Sequence, residues 1–180
     1  MIRTFLCALF ALSLQANAAV VGFNPTNSSV GLGDIFVVGV EGSAFASDLD
    51  GGGLNLSFDP TRLEVLDVIV HPDWDFFLPG DDGVIDNVAG SVTNTRFNQF
   101  AHPKVGSFAI LEYQFRAKAL GSSLLQLTAG DNPFGSLGGV VQVSFTDGSV
   151  NVVPEPSTVS MLLAGLLVAF GMSRRLRAQQ

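Results

Sequence analysis

Residues 109–118 read Ala-Ile-Leu-Glu-Tyr-Gln-Phe-Arg-Ala-Lys, and their reading decides the fold class. Ala109, Leu111, Tyr113, Phe115 and Ala117 fall on one side of an extended chain. Glu112, Gln114, Arg116 and Lys118 fall on the other, because successive side chains of a strand point to opposite faces. A slip of one residue would bury four polar groups, so the apolar side must face a core in this register.

The same pattern continues in both directions. Upstream, Leu54, Leu56 and Phe58 alternate with Asn55, Ser57 and Asp59, the turn Asp59-Pro60-Thr61 follows, and residues 63–70 form a β-branched strand. Residues 34–40 are nearly all apolar and predict a central strand covered on both faces. Residues 19–23 predict a short strand closed by Asn24-Pro25-Thr26-Asn27. Two shorter strands are expected at 84–89 and 92–97, joined by Gly90-Ser91, after a polar stretch at 71–82. Downstream come a strand at 124–128, a glycine-rich loop at 130–139, and the apolar positions Val141, Val143 and Phe145. Asp147-Gly148 then predicts a type I′ hairpin with residues 150–153 as its second arm. No stretch of this region carries the periodicity of an amphipathic helix. About nine strands with period-2 alternation predict an all-β, jelly-roll sandwich, with Phe36, Phe58, Phe108, Phe115 and Phe145 filling the space between the sheets.

Charge limits the partners. Residues 19–153 hold fifteen acidic and five basic side chains, a net charge of −10. Nucleic acid and anionic membrane surfaces both need a basic footprint that this region lacks, whereas cations, neutral sugars and basic proteins remain compatible. Cys7 is the only cysteine of the 180 residues, so the region after residue 18 has no disulfide and no thiolate chemistry.

The two ends read as processing segments. Residues 1–18 combine Arg3, an apolar run at 5–14 and the small-x-small triplet Ala16-Asn17-Ala18, which predicts a signal peptide cut after Ala18. At the other end stand Pro154-Glu155-Pro156-Ser157-Thr158, an apolar run at 159–172, and Arg174, Arg175 and Arg177. Fourteen apolar residues make a helix of about 21 Å, against a hydrocarbon core of about 30 Å. The arginines favour the cytoplasmic side, which leaves everything upstream outside. Proline motif, short apolar segment and arginine cluster together resemble a PEP-CTERM sorting signal. The resemblance implies a short transmembrane helix within residues 153–180, transient insertion in the inner membrane and processing by an exosortase. It further implies delivery to the cell surface or extracellular matrix of a Gram-negative-type bacterium.

Between the ends, Gly33-Asp34, Leu56-Ser57-Phe58-Asp59-Pro60 with Leu63 and Val65, Gly121-Ser122-Ser123, and Asp147-Gly148-Ser149-Val150 resemble a cohesin domain over residues 19–152. The resemblance implies a nine-stranded jelly roll related to carbohydrate-binding modules, non-catalytic, with a flat sheet face that binds a dockerin.

Three clusters are candidate sites. Trp74, Phe76 and Phe77 lie in a charged, proline-containing stretch. Their aromatic rings suit either a ligand platform or a cap folded over the sandwich edge. Asp81 and Asp82, with Asp86 nearby, are candidate calcium ligands, since calcium takes six to eight oxygens. Asp48 and Asp50 beside glycines 51–53 could also offer oxygens to calcium, but no Glu stands at the twelfth position of an EF-hand loop, and the cluster is read as a solvated turn. No nucleophile elbow or HExxH occurs, and His71 and His102 are too far apart in sequence to suggest a metal pair. The expected function is an exported, non-catalytic binding or adhesion module for a polysaccharide or envelope protein, processed by signal peptidase and exosortase. A self-associating structural component of the matrix is the second expectation, and a glycan-acting enzyme the third.

Overall fold

The computed structural model describes residues 18–76 and 78–154. The leader up to Ala16, the helix expected in the tail, and the residues Glu155, Pro156, Arg174 and Arg175 lie outside them. The described chain forms thirteen strand segments, nine of which have five residues or more. In order they are β1 (Ala19–Asn24), β2 (Asn27–Gly31), β3 (Ile35–Leu49), β4 (Gly51–Ser57), β5 (Leu63–Val70), β6 (Val84–Asp86) and β7 (Ser91–Asn98). They continue with β8 (Lys104–Ala117), β9 (Gly121–Ala129), β10 (Gly135–Ser136), β11 (Gly139–Val140), β12 (Val143–Thr146) and β13 (Gly148–Val153). Among the described residues no helix is long and apolar enough to cross a membrane.

Two sheets face each other. The first has the order β12-β1-β3-β8-β5; the second runs β11-β10-β4-β9-β13-β2, with β7 on β4 and β6 on β7. The inner faces meet in one continuous core that includes Val38, Leu54, Phe97, Tyr113, Phe115, Leu125 and Val150. Leu111, Tyr113, Phe115 and Ala117 face inward as the alternation of β8 requires. Ala109 does not join them. Its neighbour Ile110 is skipped in the pairing of β8 with β3, and this bulge turns Ile110 and Phe108 toward the core instead.

Four other expectations change. The strand at 34–40 is central in its sheet but not covered on both faces: Ile35 and Val37 point to solvent. Residues 51–53 are not a turn but the buried start of β4. The strand expected at 84–89 stops at Asp86, because the Asp86 carboxylate accepts the Val88 and Ala89 N–H groups and turns the chain. Asp147-Gly148 does not make a hairpin. β12 pairs with β1 in the first sheet and β13 with β9 and β2 in the second, so Asp147 carries the chain across the sandwich. Neither residue adopts the positive φ that a type I′ turn demands. Gly148 answers a packing need instead, since a Cβ there would lie 2.7 Å from the Phe23 ring.

The registers define two ends. At one, β13 finishes beside the start of β9, with Val152 opposite Gly121. At the other, β4 begins beside the end of β7, with Gly51 opposite Asn98. About eleven residue steps separate these levels, or roughly 36 Å along the strands.

Candidate functional site

At the β4–β7 end, three consecutive glycines leave the outer face of the second sheet without side chains. Gly51 and Gly53 share the outward parity of Asn55 and Ser57, while Gly52 faces the core with Leu54 and Leu56. A Cβ at Gly51 would come within 2.5 Å of Asn98 Oδ1, and one at Gly53 within 3.0 Å of the Asn132 backbone. A Cβ at Gly52 would meet the Phe97 and Phe134 rings at 2.9 and 3.0 Å. The missing side chains therefore let an asparagine pair lie flat over β4 while two aromatic rings close beneath it.

The pair is well fixed. Asn132 Nδ2 donates to Gly52 O at 3.1 Å and to Asn98 Oδ1 at 3.0 Å. Asn98 Nδ2 and Asn132 Oδ1 have no hydrogen-bond partner among the described residues. The loop carrying Asn132 is held by a chain of amides. Asn55 Nδ2 donates to Ala129 O, Asn94 N–H to Asn55 Oδ1, and Asp131 N–H to Asn94 Oδ1. Asn94 takes a φ of 58°, a left-handed conformation that asparagine tolerates better than most residues.

Two hollows open on either side of this pair. One, of about 320 Å³, is lined by Leu78, Asp81, Arg96, Asn98, Asp131 and Asn132. The other, of about 170 Å³, lies between Asp50, Asn98, Phe100, Asn132, Pro133 and Ser136. They share Asn98 and Asn132, so the asparagine pair is the ridge of one polar groove. Asp81 is buried: its Oδ2 accepts the Leu78 N–H at 2.7 Å, and its backbone oxygen accepts the Arg96 N–H at 2.7 Å. The Arg96 guanidinium is 3.9 Å from Asp81 Oδ1, partly exposed and only loosely paired. Phe76 and Phe100 stand at the rim edge to face, 5.0 Å apart, with 42% and 69% of their surfaces open. Phe76 is tied to the groove wall by its N–H, which donates to Asn98 O.

The residues singled out in the sequence are placed differently from one another. Trp74 is 3% exposed, so it is not a surface platform. Its Nε1–H donates to Ala109 O at 3.0 Å and its ring packs edge-on against Phe97 and Phe108, which closes the sandwich edge. Phe76 is exposed at the groove, and Phe77 lies outside the described residues. Asp81 and Asp86 each serve a separate backbone turn, and Asp82 faces solvent beside the outer edge of β5. Among the described residues no group of three or more His, Cys, Asp or Glu side chains is arranged to hold a metal ion. Hydrogen bonds from the Ala89 and Val88 N–H groups hold the Asp86 carboxyl below its usual range. The Thr61 hydroxyl and then the Thr61 N–H do the same for Asp59. Ala18 is exposed, and β1 begins immediately after it. Pro154 is exposed immediately after β13.

Arg96, Asn98, Phe100, Asp131 and Asn132 were not marked by any motif. They converge from β7, the loop that follows it and the β9–β10 loop, and Asn98 and Asn132 are 34 positions apart. The signal that could have found them is the run of glycines at 51–53, which makes room only where something else must lie close.

Residues 152–177 match the PEP-CTERM protein-sorting motif. Among curated proteins none matches in sequence. The fold is that of cohesin domains. The CaCohA2 module from Clostridium acetobutylicum superposes with a TM-score of 0.57 at 17% identity, over 81% of this chain and 97% of that one. The non-cellulosomal cohesin of the archaeon Archaeoglobus fulgidus gives 0.57 at 16%, over 81% and 98%. A type I cohesin of Clostridium thermocellum, solved in complex with a dockerin, gives 0.59 at 9%, over 76% and 100%.

Proposed function

We propose that this chain is an exported, non-catalytic binding module, displayed at the bacterial surface by its sorting motif, whose groove takes a segment of neutral polysaccharide. The observation that carries the reading is the groove itself, where a glycine floor, an asparagine pair with unused donor and acceptor, and the exposed Phe76–Phe100 pair meet. A sugar ring offers an apolar C–H face and a rim of hydroxyls. Phe100 suits the first; Asn98, Asn132, Asp131 and Arg96 suit the second. Asp50, Asp81 and Asp131 disfavour an anionic sugar by Coulomb repulsion.

The match at 152–177 supports export and surface attachment, with exosortase cutting near Pro154-Glu155-Pro156 while Arg174 and Arg175 stay inside. Signal peptidase would cut after Ala18, leaving a mature domain of residues 19–152 that starts at its first strand. Delivery into an extracellular matrix follows from the same reading. The carboxylates with altered acidity, Asp59 and Asp86, are held in the charged form as turn acceptors, the opposite of what a general acid requires.

A second reading places a protein partner on the outer face of the second sheet. Solved cohesins of this fold include complexes with dockerins, and Leu124 is exposed on this face among Ser122, Gln126, Thr128 and Asn151.

Affinity electrophoresis through gels cast with xylan, galactomannan or hydroxyethylcellulose separates the two. Retardation of the exported protein by one of them, abolished in Phe100→Ala and kept in Leu124→Lys, supports the groove. No retardation by any neutral polysaccharide, together with partner capture from envelope extracts that Leu124→Lys removes, refutes it.

A further inference from the structure

We infer that the end of the sandwich from which the tail leaves is a membrane-facing surface, seated on lipid headgroups in the tail-bearing chain, so that the groove stands away from the bilayer. The inference rests on the sorting reading above and adds an orientation to it.

The fold is locked right up to the sorting motif. Val152 is buried, and the Val153 carbonyl accepts the Leu32 N–H at 3.0 Å. Between that strand and the first residue of the apolar run, Val159, lie only residues 154–158. Five residues extend at most about 17 Å. A headgroup layer takes up roughly 5–7 Å of that on each side of the bilayer, so the β13 end can stand off by little more than one layer of side chains.

The turns around the exit form one surface. The Gly33 N–H donates to Ala117 O, and the Lys118 N–H to Arg62 O. Lys118 Nζ donates to Pro60 O, and the Arg62 guanidinium to Leu120 O. Leu32, Leu120 and Val88 are the exposed apolar side chains of these turns, and a shallow apolar contact is what an interfacial surface uses.

Charge sorts the two ends. Of the five basic residues in the described domain, Arg62, Arg116 and Lys118 lie at the exit end. The acids there are each held locally: Asp34 by the Gly31 N–H, Asp59 by Thr61, Glu64 by Arg116, Asp67 by the Val68 N–H and Asp86 by its own turn. The remaining ten acids share the rest of the molecule with only Arg96 and Lys104. The exit end thus carries about −2 and the remainder about −8. An anionic bilayer attracts each nearby Lys or Arg by about 1 kcal/mol and repels acids to a similar degree, so the short tether and not charge holds this end down. Charge selects among orientations: end-on seating keeps the −8 portion outside the Debye length of about 8 Å.

The test uses the exported full chain with its tail, isolated from a host that lacks the sorting peptidase. Cys7→Ser leaves a single introduced thiol as the only one. An environment-sensitive dye is placed by Leu32→Cys, Leu120→Cys, Val37→Cys or Leu137→Cys, and the chain is reconstituted in phosphatidylethanolamine–phosphatidylglycerol vesicles containing headgroup-nitroxide lipid. Several-fold stronger quenching at positions 32 and 120 than at 37 and 137 is expected, with the difference reduced in Lys118→Glu. Strongest quenching at 37 would mean that the first sheet lies flat on the bilayer. Equal, weak quenching everywhere would mean that the domain stands clear of it. Either result overturns the orientation while leaving the anchor intact. A chain that fails to float with the vesicles removes the anchored state itself.

Discussion

Replacing Tyr113 with phenylalanine tests the sandwich core through a single spectroscopic probe, because Tyr113 is the only tyrosine of the chain. The residue sits on the inner face of β8, fully buried, and its hydroxyl has no hydrogen-bond partner among the described residues. Burial pushes the phenol well above its usual value near 10, with the Thr95 side chain pulling slightly the other way. The folded state therefore keeps its proton where the unfolded chain loses it. Stability is complete below about pH 10 and falls as pH rises, by roughly 1 kcal/mol at pH 11 and roughly 3 at pH 12. Tyr113→Phe removes this slope. At pH 7 it also removes a buried, unpaired hydroxyl, whose desolvation costs about 1–3 kcal/mol, so the variant should equal or exceed the parent in stability. Urea titrations at pH 7, 10 and 11, read by circular dichroism, measure both effects, and tyrosinate absorbance near 295 nm follows the phenol itself. Absorbance that rises with a midpoint near pH 10 while the circular dichroism stays native would show Tyr113 accessible to solvent. The arrangement of the two sheets described above would then be wrong.

Gly148→Ala should destabilise by roughly 1–3 kcal/mol in thermal melts, because its Cβ would meet the Phe23 ring at 2.7 Å and Thr26 O at 3.0 Å. An unchanged midpoint would mean that Asp147-Gly148 is a free turn after all. The depressed Asp86 carboxyl stabilises the fold above its unfolded value near 3.8 and loses that contribution as pH falls through the lower, folded value. Asp86→Asn should accordingly show a shallower loss of stability below about pH 4 than the parent, and identical slopes would remove the carboxylate from the β6–β7 turn. Chelator should leave the thermal midpoint where it is, since Asp81, Asp82 and Asp86 serve separate places in the fold. A rise of several degrees on adding calcium would contradict that.

What could be seen in the sequence follows the range over which each signal acts. The alternation from Leu111 to Ala117 is local and survives into the fold unchanged. The bulge at Ile110 depends on how β8 meets β3, information that no single strand contains. Asp147-Gly148 carries the composition of a hairpin, yet the glycine is there for Phe23, a residue 125 positions earlier. Glycines 51–53 look like a turn for the same reason: conformational freedom and absence of bulk are written with the same residue. Trp74 was ambiguous between platform and cap because an aromatic ring among charges suits both. Only the space beside Phe97 and Phe108 decides it. The groove was least legible, since its donors are ordinary asparagines brought together by the pairing of β4 with β7 and by the β9–β10 loop.

The ends of the chain give this geometry its direction. β1 starts at Ala19 in the half of the sandwich that carries the groove, since Val20 pairs with Ser43 and β3 continues from there to Leu49. β13 finishes at the opposite end. On the proposed processing scheme, a leader still attached at Ala18 and a tail beginning at Pro154 would pull on opposite ends of a rigid sandwich whose groove and exit levels lie roughly 36 Å apart along the strands. Both could sit in one bilayer only with the domain on its side, its acidic flank against the headgroups. On that scheme removal of the leader would free the groove end while the tail still tethers the other. The two cuts would then act in sequence: the first would let the proposed groove stand clear of the membrane, and the second would release the module with that groove already exposed.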